Sequence, residues 1–162
     1  AVAREVGELY NESWEDHEEF CPMTTAEMDQ LIEDLLQITE PSLVKVIRRE
    51  DELAGFVLAF PDLSAALQRA NGKVNPLILR NLTKEKQKTT KYLINGLGIL
   101  PQYQKNGGIA ILFNEMAKTL RQHNVSKAEM TQIAETTDLM LSNIEKMGAR
   151  IYKTHRVYQK RV

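Results

Sequence analysis

Residues 92–113 read YLINGLGILPQYQKNGGIAILF, and this stretch decides the fold. Its first part is rich in branched and aromatic residues and predicts a strand over Thr90–Leu100, which Pro101 ends. A short polar loop then carries Gly107-Gly108. Immediately afterwards Ile109, Leu112, Phe113, Met116 and Leu120 recur at helical spacing. The start of a helix presents unpaired backbone N–H groups and the positive end of a dipole. Glycines there let a phosphate come close to that backbone, so strand, tight loop and helix predict a pyrophosphate cradle. The nucleoside-triphosphate loop is excluded, because no Gly-Lys-Ser/Thr follows. The dinucleotide fingerprint fails too, since Gly96-Leu97-Gly98 lies inside the strand.

Upstream, Val6, Leu9, Tyr10, Trp14, His17 and Phe20 predict an amphipathic first helix. Thr24-x-x-Glu27 is a capping-box signature for a second, whose buried stripe would be Met28, Leu31, Ile32 and Leu35. Leu43–Arg49 and Ala54–Phe60 flank Glu50-Asp51-Glu52 and read as an antiparallel hairpin. Pro61-Asp62 opens a short helix that Asn71-Gly72 closes. Residues 73–91 carry Lys73, Arg80, Lys84, Lys86, Lys88 and Lys91 against Glu85, and read as a loop or a partly helical excursion. No aromatic residue interleaves these cations up to Lys91, so nucleic acid is not an expected partner. Downstream come a strand near Lys127–Ile133, a helix around Thr137–Met147 stopped by Gly148, and a last strand over Ala149–Arg161. The order predicts an α/β fold with a mixed, mostly antiparallel central sheet and helices on both faces.

With 162 residues, 43% of them hydrophobic and 27% charged, the chain reads as a single domain, 1–162, with a real core. No apolar run approaches membrane-spanning length, and the start is acidic rather than a signal peptide. One cysteine, Cys21, excludes an internal disulfide; a cytoplasmic setting without a membrane partner is expected. The three histidines are scattered and pair with no second cysteine, so no metal site is expected. The net charge of −1 hides a division. Residues 1–40 hold twelve acids against Arg4, a net −11, which leaves +10 for residues 41–162. Such asymmetry steers a cationic ligand to one end and an anionic one to the other.

The run Gly98-Ile99-Leu100-Pro101-Gln102-Tyr103-Gln104-Lys105-Asn106-Gly107-Gly108 resembles the acyl-CoA-binding signature of the GCN5-related N-acetyltransferase (GNAT) superfamily. That signature is a hydrophobic strand, a turn, and Arg/Gln-x-x-Gly-x-Gly/Ala opening a helix. Gln104 and Gly107 match its first and fourth positions, with Ile109 where a small residue is usual; the next frame gives Lys105, Gly108 and Ala110. The resemblance implies acetyl-CoA or a longer acyl-CoA as cofactor, held by Gly98, Ile99, Leu100, Gln104, Lys105, Asn106, Gly107, Gly108, Ile109 and Ala110. It implies transfer of the acyl group to a small amine or amino-acid-like acceptor. It also suggests the C-terminal part of longer bacterial proteins, so either a homodimer or a missing N-terminal domain is a candidate partner.

Transfer from a thioester to an amine needs a polarised carbonyl, a deprotonated ammonium and a protonated leaving thiolate. By resemblance, the backbone of Gly98, Ile99 and Leu100 serves the first. Glu12, Glu18 and Glu135 are candidate carboxylates for the second. For the third, the family's late-helix tyrosine aligns with Ile144, which cannot donate a proton, so Tyr103, Tyr152, Tyr158 or a water becomes the candidate. His155 shares a predicted strand face with Ile151 and Val157, the setting of a packed or edge-exposed imidazole. The lost tyrosine keeps a second class of function open: a catalytically reduced module for protein association or acyl-CoA sensing.

Overall fold

The computed structural model describes residues 2–15, 20–71, 76–131, 133–156, 158 and 160. His17, Glu18, Gly72, Lys73 and Val157 lie outside the described residues. The chain divides into two compact units, Ala1–Gln132 and Ile133–Val162. The first runs α1 (Val2–Trp14), α2 (Thr25–Ile38), β1 (Val44–Arg49), β2 (Glu52–Pro61), α3 (Ser64–Ala70), α4 (Pro76–Lys88), β3 (Lys91–Ile99), α5 (Gly108–Gln122) and β4 (Lys127–Met130). The second holds α6 (Asp138–Lys146).

The strands form one mixed sheet in the order β1-β2-β3-β4, antiparallel except for the parallel β3–β4 pair. Side chains alternate between its faces. Phe56 and Gly98 are cross-strand partners on the face covered by α1, where Phe56 is buried with Val6, Leu9, Leu53 and Leu100. Ile47 and Ile99 belong to the other face and meet the start of α5 at Gly108. There α5 packs on β1 and β2, burying Leu112, Phe113, Met116 and Leu120. Each such side chain withdrawn from water contributes about 1.5–3 kcal/mol. Helices therefore cover both faces of a mostly antiparallel sheet.

Local chemistry sets the element ends. Thr24 and Glu27 form the expected capping box: Glu27 N–H donates to Thr24 Oγ1 at 3.3 Å, and Thr24 N–H to Glu27 Oε2 at 2.8 Å. Asn71, left-handed at φ +47, closes α3. The basic stretch after it is mostly helical: Pro76 opens α4, and Arg69 of α3 reaches Glu85 of α4 at 2.5 Å.

Three expectations are corrected. The first helix ends at Trp14 rather than near Phe20. Of the stripe on α2, Met28 is buried, but Leu31 is exposed. The reason is the narrow packing of α2 on α1, where Met28 lies against Gly7. Among the described residues the last strand is absent: residues 149–156 have no regular structure and Ile151 is 61% exposed. An alternating pattern makes a strand only where a ladder partner takes up its backbone groups, and these residues pair with no strand.

Candidate functional site

The site starts with an irregularity in β3. Val57 pairs with Leu97 but Ala59 pairs with Ile94, so β3 carries an extra residue at Asn95-Gly96. Gly96 has φ +112, which an L side chain rarely adopts. Beyond the bulge β3 parts company with β4. Their pairing runs from Lys91 to Ile94, opposite Lys127 to Met130, while β3 continues to Ile99.

Hydrogen-bond directions along an antiparallel strand alternate. Leu100 N–H donates to Ala54 O at 3.0 Å, so it faces β2, as does Gly98. Leu97 and Ile99 face the outer side. Trp14 Nε1 donates to Leu97 O at 3.3 Å, and Gln104 Nε2 donates to Ile99 O at 3.3 Å. Both carbonyls are thereby occupied, and the N–H groups of Leu97 and Ile99 point to the same outer side. Of Gly98, Ile99 and Leu100, only Ile99 offers its N–H there.

The loop that follows turns through Pro101–Tyr103 and then alternates handedness. Lys105 (φ +64) and Gly107 (φ +78) are left-handed and Asn106 is not, a sequence of conformations that turns successive N–H groups into one concavity. Gly107 is the N-cap of α5 and no side chain caps that helix. Its first internal bond runs from Ile111 N–H to Gly107 O at 3.2 Å, so the N–H groups of Gly108, Ile109 and Ala110 precede the ladder. A Cβ on Gly107 would meet nothing within 4 Å, so the cradle is open above it. At Gly108 it would come within 3.1 Å of Ile99, so there glycine lets the helix start lie on β3. Ile109 is half-buried, and its bulk does not stand over the loop as an exposed side chain. No acidic residue occupies the first turn of α5, and Lys105 is exposed beside it. An anionic pyrophosphate fits this donor set.

The candidate catalytic side chains are more dispersed. Glu12 lies exposed on α1, next to Ser13, whose Oγ lies 2.7 Å from where a Cβ on Gly98 would stand. Glu135, Tyr152 and Tyr158 belong to the second unit. There Glu135 pairs with Arg156 at 3.4 Å, Lys153 Nζ stands 5.2 Å from the centre of the Tyr152 ring, and Tyr158 is 86% exposed. His155 is exposed, as one of the two expected settings had it, but in irregular chain rather than on a strand. Ile144 is buried in α6. Tyr103 donates its hydroxyl proton to Glu52 and lies under the Arg49 guanidinium, 5.4 Å from the ring centre. The bond to Glu52 raises its pKa above the ordinary phenol value, which suits a strut between loop and hairpin better than a proton donor. Among the described residues, no group of three or more His, Cys, Asp or Glu side chains could hold a metal ion.

Sequence reasoning missed the bulge and the two carbonyl clamps. Two glycines two apart in a strand are the signal for such an irregularity; nothing local announces that Trp14 reaches Leu97.

The sequence model of the acetyltransferase (GNAT) family matches residues 4–148. The chain is 29% identical over 161 residues to a bacterial ceramide synthase of Caulobacter vibrioides, and 22% identical to protein YghO of Escherichia coli. These matches take in 94% and 96% of this chain but 41% of each relative's length. Among solved structures, the aminoglycoside N-acetyltransferase AAC(6')-Iy in complex with CoA superposes with a TM-score of 0.65 at 13% identity, covering 99% of this chain and 90% of that one. The aminoglycoside 6'-N-acetyltransferase of Acinetobacter haemolyticus gives 0.61 at 14%, covering 98% and 92%. At such identities the likeness is one of fold. By its sequence, the chain belongs to the acetyltransferase (GNAT) family.

Proposed function

We propose that the chain is an acyl-CoA-dependent N-acyltransferase acting on a primary amine. The observation that supports it most is that one strand, β3, carries both outward N–H groups past its bulge and, through Lys105–Gly107, the uncapped start of α5. Acyl-CoA supplies an activated acyl carbon. The N–H groups of Gly108, Ile109 and Ala110, with Lys105, would hold its pyrophosphate. Gly98, Gln104 and Asn106 shape that loop, and the N–H groups of Leu97 and Ile99 would polarise the acyl carbonyl. Leu100, its N–H bonded to Ala54, would anchor the strand end. The amine nitrogen attacks the acyl carbon as the C–S bond breaks. The sulfur takes a proton and the amine nitrogen loses one, with Glu12 the carboxylate on α1 proposed to assist and Glu135, Tyr152 and Tyr158 as candidates from the second unit.

The relatives' names point to two kinds of acceptor, the aminoglycosides and the amine portion of a ceramide; both reactions form an amide. The proposed acidic attraction for a cation is smaller than composition suggests. Glu5 pairs with Arg48, Asp29 with Arg4 at 2.8 Å, and Glu27 caps α2. A thiol-release assay with acetyl-CoA over a panel of primary amines tests the proposal. Turnover that Gly107→Glu abolishes supports it; silence across the panel with CoA bound refutes it. The burial of Ile144 favours the second reading, a reduced module that binds acyl-CoA without transferring it, for which CoA binding without turnover is the expected outcome.

A further inference from the structure

The wall beside the outward-facing edge of β3 is aromatic. Tyr10 and Trp14 stack with ring centres 6.0 Å apart, Phe20 meets Tyr10 edge-on at 5.7 Å and Trp14 at 6.4 Å, and Tyr10 lies 6.4 Å from the buried Phe56. Tyr10, Trp14 and Phe20 are each only half-buried. Trp14 also ties this cluster to the reacting edge through its bond to Leu97 O. The cluster lies on the α1 face of the sheet, whereas the phosphate cradle begins on the α5 face. A molecule reaching the Leu97–Ile99 edge past these rings therefore arrives from the side opposite the cradle.

From this juxtaposition we infer that the acceptor is an amphiphilic primary amine, a long-chain amino alcohol in chemical class, whose alkyl chain lies on Tyr10, Trp14 and Phe20. The inference rests on the acyltransferase reading above. Three rings that carry no charge match an alkyl chain, which buries apolar area against them. A polycationic acceptor would instead need several carboxylates around it, whereas the one proposed on α1, Glu12, matches a single ammonium.

The test uses acetyl-CoA with a series of 1-amino-2-alkanols of increasing chain length, alongside an aminoglycoside. Each methylene withdrawn from water should raise kcat/KM about fourfold, until the chain outgrows the rings. Phe20→Ala should flatten that dependence and Phe20→Leu restore much of it, with the CoA dissociation constant unmoved in both. The unmutated series alone decides the matter should Phe20→Ala fail to fold. A flat profile, a preference for the aminoglycoside, or a length dependence that follows the acyl group of acyl-CoA instead of the amine overturns the inference. Loss confined to this inference shows as CoA binding with a flat amine profile, whereas absence of CoA binding removes the acyltransferase reading as well.

Discussion

Gly98→Ala probes the place where α1 lies closest to the reacting strand. A Cβ at this position would stand 2.5 Å from Phe56 Cε1 and 2.7 Å from Ser13 Oγ. Comfortable carbon–carbon contacts lie at about 3.5–4.0 Å, so the ring is about 1 Å too close. Phe56 has no exposed surface and is enclosed by Val6, Leu9, Leu53 and Leu100, which leaves its ring nowhere to move. Either α1 lifts or the ring leaves its rotamer, at a cost of about 1–3 kcal/mol. Gly98 is not among the glycines with positive φ, so alanine also gains about 0.4–1 kcal/mol by restricting the unfolded chain. The expected net destabilisation is about 1–2 kcal/mol. Urea unfolding followed by the fluorescence of Trp14, the sole tryptophan, measures it. Adding Ser13→Ala should recover part of the loss, and the double-mutant cycle should show a coupling of at least about 0.5 kcal/mol. A Gly98→Ala protein as stable as the parent refutes the close packing of α1 on β3.

Lys105→Gly should stabilise the fold by up to about 1 kcal/mol, because Lys105 sits at φ +64, yet weaken CoA binding by removing a cation beside the cradle; unfolding and titration of one variant check both signs. Thr24→Ala should cost about 1 kcal/mol in urea unfolding by opening the capping box of α2. Hydrogen bonds from Ser64 hold the Asp62 carboxyl below its ordinary 3.8. Its contribution is therefore present above that value and lost as pH falls through the lower folded pKa. The stability gap between the parent and Asp62→Ala should accordingly narrow in unfolding curves taken below about pH 4.

The elements that short-range chemistry specifies were legible. Thr24-x-x-Glu27 announced a cap, Glu50-Asp51-Glu52 a hairpin, and Gly107-Gly108 the start of α5. What tertiary packing decides was not. Leu31 has the right period for burial yet stands exposed, and Ile151 and Tyr152 alternate like strand residues but join no ladder among the described residues. The cradle was read from its glycines, while the left-handed turn at Lys105 carries no glycine to signal it. The bulge at Asn95-Gly96 and the clamps from Trp14 and Gln104 depend on register and on contacts up to 83 residues apart in sequence. Candidate carboxylates and tyrosines were the least legible, because a catalytic acid and a surface charge look alike until their neighbours are known.

Calorimetric titration of the unmutated protein with CoA, beside Gly107→Glu and free pantetheine, tests the central claim most directly. The account predicts saturable one-site binding of CoA that weakens with salt, is lost in Gly107→Glu, and is far tighter than that of pantetheine, which lacks the pyrophosphate. A folded protein that shows no binding at millimolar CoA, or that binds CoA and pantetheine alike, contradicts it.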